Sequence, residues 1–137
     1  MTDLAALARI AALTEDRALA RLREVQEEEQ RLRAELDEIE ALRCASVQDA
    51  ERAHARRISG AEAQWQGWLV QRRMALNQEL ILLQIKKAER QDRAREMHAR
   101  ANVSRSLAEA QAQEILGRRR TAEEAALAQL VLLRASG

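Results

Sequence analysis

Apolar residues recur at alternating steps of four and three along this chain, and that spacing constrains its fold more than any other feature. Such alternation is the heptad pattern of helices that wind around a partner helix. It predicts a first helix over about residues 3–58, which Thr2 or Asp3 can cap. The seam of this helix consists of Ala18, Leu22, Val25, Glu29, Leu32, Leu36, Ile39, Arg43, Ser46, Ala50 and Ala53.

A reversal of the chain is predicted at Ser59-Gly60, because glycine is the residue that most readily ends a helix and turns the backbone. The predicted turn covers about residues 59–61, and a second helix follows over about 62–116. Long Arg and Lys side chains in its seam can lay their methylenes along the contact. This second seam consists of Leu69, Arg73, Leu76, Leu80, Leu83, Lys87, Arg90, Ala94, Met97, Ala101, Ser104, Ala108, Gln111 and Ile115.

The charge pattern favours the same reversal. The charged residues of 24–40 are mainly acidic, and those of 86–105 are mainly basic. Folding at Gly60 would place residue n roughly opposite residue 120 − n, with Glu35 near Lys86 and Glu29 near residues 90–93. Opposite charges across such a seam select orientation and register more than they add stability.

Composition agrees with a fold made only of helices. The chain has no Pro, 1% aromatic residues, 33% charged residues and 47% hydrophobic residues. This usage is typical of coiled coils and long helices, and the scarcity of β-branched and aromatic residues argues against a sheet. We therefore expect an all-α protein: an antiparallel two-helix coiled-coil hairpin, a single domain over residues 1–137, with a C-terminal helical extension.

The extension begins after a break in the pattern at Gly117, which Arg118, Arg119 and Arg120 follow. Thr121 and Glu124 then form a potential capping box, TAEE, in which each side chain bonds the other's free amide. The predicted last segment covers about residues 121–135. Two alternatives remain open: the second helix continues through Gly117, or a new helix starts at Thr121.

Little in the sequence suggests catalysis. Neither His54 nor His98 has a Cys at metal-binding spacing, Cys44 has no paired base, and no glycine-rich phosphate loop is present. We expect no catalytic residue, metal, cofactor or small-molecule substrate. The net charge of +1 argues against nucleic acid as a partner. No signal peptide or apolar span is evident, so a cytoplasmic location is expected.

Some apolar residues fall outside the two seams. Trp65 and Trp68 lie one helical turn apart, where they could either steady the turn or contact a partner. Met74, Ile81 and Ile85 form a second stripe that a two-helix hairpin cannot cover, which suggests self-association or another partner.

The chain resembles the flagellar export protein FliJ and its type III secretion relatives of the YscO type. The resemblance lies in LAALARIAALTEDRALARLREVQEEEQRLRAEL, in a turn near the middle, and in WQGWLVQRRMALNQELILL. It implies an antiparallel coiled coil similar to the central stalk of rotary ATPases. The implied partners are a hexameric export ATPase, an export-gate membrane protein and export chaperones.

Two groups of residues follow from that resemblance. The gate- or chaperone-facing tip would comprise Trp65, Trp68, Leu69, Arg72 and Leu76. The ATPase-facing end would comprise Leu4, Leu7, Arg9, Ile10, Ile115, Leu116, Leu127, Leu130 and Val131, together with the rest of the segment to Leu133.

Two other functions stay open on the sequence. The first is a generic structural coiled coil that forms a homodimer through Ile81, Ile85 and the C-terminal leucines. The second is a nucleic-acid-binding hairpin that uses its basic second arm.

Overall fold

The computed structural model describes residues 3–48 and 60–137, which form two long α-helices. Helix α1 covers Asp3–Gln48 and helix α2 covers Ala61–Ser136. Both are rich in Ala, Leu, Glu and Arg, the residues with the highest helix propensity. No strand occurs in these two ranges. The predicted all-α fold is confirmed.

Helix α2 begins directly after Gly60, whose φ of 77° lies in the left-handed region that favours glycine. The Gln64 amide donates to the Gly60 carbonyl at 3.4 Å, which starts the helical ladder. Glu62 in the first turn complements the positive end of the helix dipole. The second helix therefore starts where the sequence predicts it. Ser59 and residues 49–58 of the predicted first helix lie outside the described residues.

At the other end, α2 continues without interruption through Gly117 to Ser136. The Thr121 hydroxyl donates to the Gly117 carbonyl at 3.0 Å, a bond within the helix rather than a cap. The prediction of a separate helix over 121–135 with a capping box is therefore wrong. The other alternative, a second helix that continues through Gly117, agrees with the structure. One glycine costs a helix only about 1 kcal/mol, which the flanking turns can offset.

The chain divides into two compact units, and each contains part of both helices. The central unit is Ala18–Ala94, and α1 and α2 pack antiparallel in it. Its core alternates residues from the two helices, as the predicted seams require. The buried members are Val25, Leu32 and Ile39 of α1 with Leu69, Leu76 and Leu83 of α2, and Leu36, Trp65 and Leu80 pack against them.

The terminal unit consists of Met1–Arg17 and Arg95–Gly137. Its buried hydrophobic residues are Met97 and Ala101 of α2, and Ala11 of α1 is half-buried. Every residue from 112 to 137 is exposed. The helix–helix contact of this unit therefore involves only the earlier part of its α2 segment. No residue in the described ranges covers the apolar side chains beyond that part.

The register of the central unit differs from the predicted one. Glu29 pairs with Lys87 and Ser46 bonds Gln66, so the paired residue numbers add to 116 and 112 rather than 120. Glu35 pairs with Arg72 and not with the Lys86 region. Glu29, which was expected to face residues 90–93, pairs with Lys87 instead. The apolar side chains can interdigitate only at particular offsets, and the charges follow them.

Leu76→Ala should lower the free energy of unfolding by about 2–5 kcal/mol, because Leu76 is 0% exposed and its removal leaves a cavity in the central core. Urea denaturation followed by circular dichroism measures the change. Leu82→Ala is the control, since the exposed Leu82 should change stability by less than about 0.5 kcal/mol. Equal effects of the two substitutions would contradict the assigned core.

Candidate protein-interaction surfaces

A charged pair interrupts the apolar core of the central unit. Glu29 is a buried member of the α1 seam, and its Oε2 lies 3.0 Å from Lys87 Nζ of α2. Arg33 lies 3.1 Å from the other carboxylate oxygen, one turn along α1. The Lys87 ammonium beside it holds the pKa of Glu29 below its ordinary value, although burial opposes that shift. This group is held as an anion that joins the helices.

Two further ion pairs cross between the helices. Arg72 Nη2 lies 2.7 Å from Glu35 Oε2, and Arg73 Nη1 lies 3.4 Å from Glu40 Oε1. Arg72, which the resemblance places at a partner-binding tip, is thus engaged within the chain. Its guanidinium is still partly exposed, so a partner could reach it only beside Glu35.

The two tryptophans stack on each other near the start of α2. Their ring centroids are 5.6 Å apart with an interplanar angle of 16°. Trp65 packs against the central core, and its Nε1 is buried without a hydrogen-bond partner in the described part of the chain. Trp68 is 52% exposed. Trp65 therefore anchors the pair, and Trp68 presents the accessible aromatic surface.

Leu69 and Leu76 do not belong to any surface. Both side chains are fully buried between α1 and α2. Their assignment to a partner-binding tip is wrong, because a side chain that fills the core cannot contact a partner while the hairpin stays folded. Of the predicted tip, Trp68 is exposed, and Trp65 and Arg72 are half-buried.

The second apolar stripe lies on the outward face of α2 in the central unit. Met74, Ile81 and Ile85, the predicted self-association residues, are all exposed. Val70 extends this stripe, and Leu82 adds exposed apolar surface beside it. No described residue of α1 covers this stripe, as the heptad argument predicts.

In the terminal unit, a groove of about 510 Å³ runs between the two helices. Leu7 and Ile10, two predicted ATPase-end residues, line its α1 side. The α2 side includes Met97, a predicted seam residue, and Val103; the sequence indicates a binding role for neither. Val103 directly precedes the seam residue Ser104, and this position next to the seam could have indicated that Val103 lines a groove between the helices. Because mainly apolar atoms line the groove, it suits the apolar face of a helix.

The other predicted ATPase-end residues also lie in the terminal unit, where they are exposed or half-buried. Leu4 is half-buried and Arg9 is exposed near the start of α1. The remaining residues follow along the exposed part of α2: Ile115, Leu116, Leu127, Leu130 and Val131, with Leu132 and Leu133 beyond them. The Arg118 guanidinium is paired with Glu114 at 2.6 Å.

Few clusters of polar side chains in the described residues could bind a metal or take part in catalysis. No group of three His, Cys, Asp or Glu that could hold a metal occurs in residues 3–48 and 60–137. His98 Nδ1 lies 2.6 Å from Glu15 Oε2, a contact between helices that spacing within one helix cannot reveal. Cys44 is exposed, and His54 lies outside the described residues.

Neither described helix combines the length and the apolar character that crossing a membrane requires. No protein-family model, curated protein or solved structure matches the chain.

Glu29→Gln should flatten the dependence of stability on pH in the acid range. A carboxylate with a lowered pKa contributes stability that is fully present above its unfolded pKa, near 4.5, and is lost as pH falls through the folded value. The urea midpoint of the natural chain should therefore fall more steeply below pH 4.5 than that of the variant. Glu27→Gln, at an exposed position two residues away, should keep the natural slope.

Proposed function

We propose that this protein is a non-enzymatic stalk or adaptor of a bacterial type III, flagellar-type protein export apparatus, and that it works in the cytoplasm. Its terminal unit would enter a hexameric export ATPase, and its central unit would link that ATPase to an export gate and to chaperones. The supporting observation is the exposed apolar end of α2 in the terminal unit. The sequence resemblance to the FliJ and YscO families supplies the identity of the partners.

The exposed end of α2 suits insertion into a larger protein. Residues 112–137 would extend about 39 Å at 1.5 Å per residue. Contiguous exposed apolar surface of this kind marks an interaction site in a soluble protein. Near its C-terminus this part of the helix carries a cluster of large apolar side chains: Leu127, Leu130, Val131, Leu132 and Leu133.

Apolar surface also occurs at the start of α1 in the same unit. Leu7 and Ile10 are more than half exposed and line the groove beside α2. A partner that embraced the terminal unit would bury both helices at once, as the lining of an ATPase pore would. This arrangement accounts for apolar side chains that contribute nothing to the core of the hairpin itself.

The central unit offers a different kind of contact. The half-exposed Trp68 is supported from behind by Trp65 and the core. A rigid, partly exposed aromatic ring of this type is common at the centre of interfaces, because it buries much area with little loss of conformational entropy. We assign the gate or chaperone contact to Trp68.

Deletion of residues 121–137 should abolish stimulation of the export ATPase, because it removes the leucine cluster. ATP hydrolysis and hexamer formation by the purified ATPase measure this effect. Circular dichroism of the truncated chain should retain the thermal transition of the central core. Undiminished stimulation by the truncated, folded chain would refute the ATPase assignment.

Trp68→Ala should weaken binding to the gate or chaperone at least tenfold while ATPase stimulation stays unchanged. The loss of the stacked pair should cost only about 0.5–1.5 kcal/mol of stability, because Trp68 lies at the surface. Titration calorimetry with the partner and thermal melting separate the two effects. Unchanged partner affinity combined with a collapsed melting transition would give Trp68 a purely structural role.

A further inference from the structure

The outward face of α2 in the central unit carries a stripe without charge over six helical turns. It consists of eight exposed residues, which we call the outer stripe: Gly67, Val70, Met74, Asn77, Gln78, Ile81, Ile85 and Ala88. Over the same span, Arg72, Arg73 and Lys87 turn towards carboxylates of α1. By helical geometry Glu79 and Lys86 project roughly 130–150° away from the middle of the stripe. Depletion of charge is a mark of the buried centre of an interface.

The order of residues in the outer stripe is symmetric about its midpoint. From the centre outward, each half has an amide, a long apolar residue, a β-branched residue and a small residue at steps of three, four and three. One half is Asn77, Met74, Val70 and Gly67, and the other is Gln78, Ile81, Ile85 and Ala88. A two-fold contact needs such self-complementarity, because residue i must meet residue j while j meets i.

We propose that the outer stripe is the contact surface between two copies of this chain, packed antiparallel about a two-fold axis between Asn77 and Gln78. In this pairing Met74 lies against Ile81 of the second copy, and Val70 lies against Ile85. The Asn77 and Gln78 amides can bond each other across the axis, which satisfies polar groups and selects the register.

Gly67 supports close approach at the ends of this contact. It lies inside α2, where glycine costs about 1 kcal/mol relative to alanine. A Cβ at this position would meet no atom within 4 Å, so packing inside the chain does not require glycine. Opposite Ala88 of the second copy, the missing side chain lets the two backbones come near each other.

Charge selects the antiparallel orientation. Glu89 is exposed just beyond the last residue of the stripe. In a parallel pair the two copies of Glu89 would lie side by side and repel each other. In the antiparallel pair each Glu89 lies beyond the uncharged Gly67 end of the other copy.

The contact is of modest size. Residues 67–88 span about 33 Å of helix, and one helix pair of that length stays below the roughly 1,200 Å² of a standard interface. The dimer should therefore be reversible, with a dissociation constant in roughly the micromolar range. It does not rest on the proposed function in protein export.

Sedimentation equilibrium of the full chain over about 1–200 µM tests the dimer. The mean mass should rise from 15.5 kDa towards twice that value as concentration increases. Ile81→Glu should raise the dissociation constant at least tenfold, because it places a charge at the centre of the contact. The matched control Leu82→Glu should change it less than threefold, since Leu82 is 68% and Ile81 63% exposed but only Ile81 lies on the stripe.

Cysteine cross-linking tests the orientation in chains that also carry Cys44→Ser. Mild oxidation should form a disulfide between two copies of the Asn77→Cys variant, which lies next to the axis, and none between copies of Gly67→Cys, whose thiols lie at opposite ends of the antiparallel pair. Circular dichroism must show native helix content for each variant. A monomer at every concentration, equal effects of the two Glu substitutions, or preferential cross-linking at position 67 would overturn the proposal. None of these outcomes depends on an export ATPase.

Discussion

Interdigitation of six large apolar side chains between α1 and α2 is the constraint on which the structure of the central unit depends. Val25, Leu32 and Ile39 meet Leu69, Leu76 and Leu83 across the seam. Each residue stands seven positions from the next on its own helix, the spacing that keeps side chains at the contact between two helices that wind around each other. The contact holds the helices together and also determines which other side chains meet.

Electrostatic interactions are subordinate to this packing. Arg72 reaches Glu35 and Arg73 reaches Glu40, but exposed pairs of this kind add little stability. The Glu29–Lys87 pair differs, because Glu29 is buried in the seam and its negative charge is compensated by Lys87. A buried ion pair of this type restricts the offsets that two helices can adopt, since another register would leave an unpaired charge in the core.

A fold of two helices cannot bury all of its apolar residues, and this limit connects structure with the proposed functions. Each helix buries one narrow face, so any second apolar face must stay exposed or meet another molecule. The central unit has such a face in the outer stripe, and the terminal unit has one around the end of α2. In our proposals the first meets a second copy of the chain and the second meets an ATPase ring.

Heptad spacing and composition determined the all-α fold, the seam residues of the central core, the start of α2 after Gly60 and the exposed position of Met74, Ile81 and Ile85. All of these depend on local helix propensity and on which residues share one helical face. The resemblance failed at Leu69 and Leu76, which it places at a partner-binding tip. Both are seam residues, and a seam residue has to fill the core. The continuity of α2 through Gly117 was undecided, since helix continuation and capping differ there by only about 1 kcal/mol.

Only the tertiary structure decided the register, the pairing of Glu29 with Lys87, the contact of His98 with Glu15 and the groove between Leu7 and Val103. Each joins residues that are distant in sequence, and their meeting depends on the offset between two helices. A heptad repeat is compatible with several offsets seven residues apart, so the spacing of one helix does not distinguish them. The packing of these two particular sets of side chains against each other distinguishes the offsets.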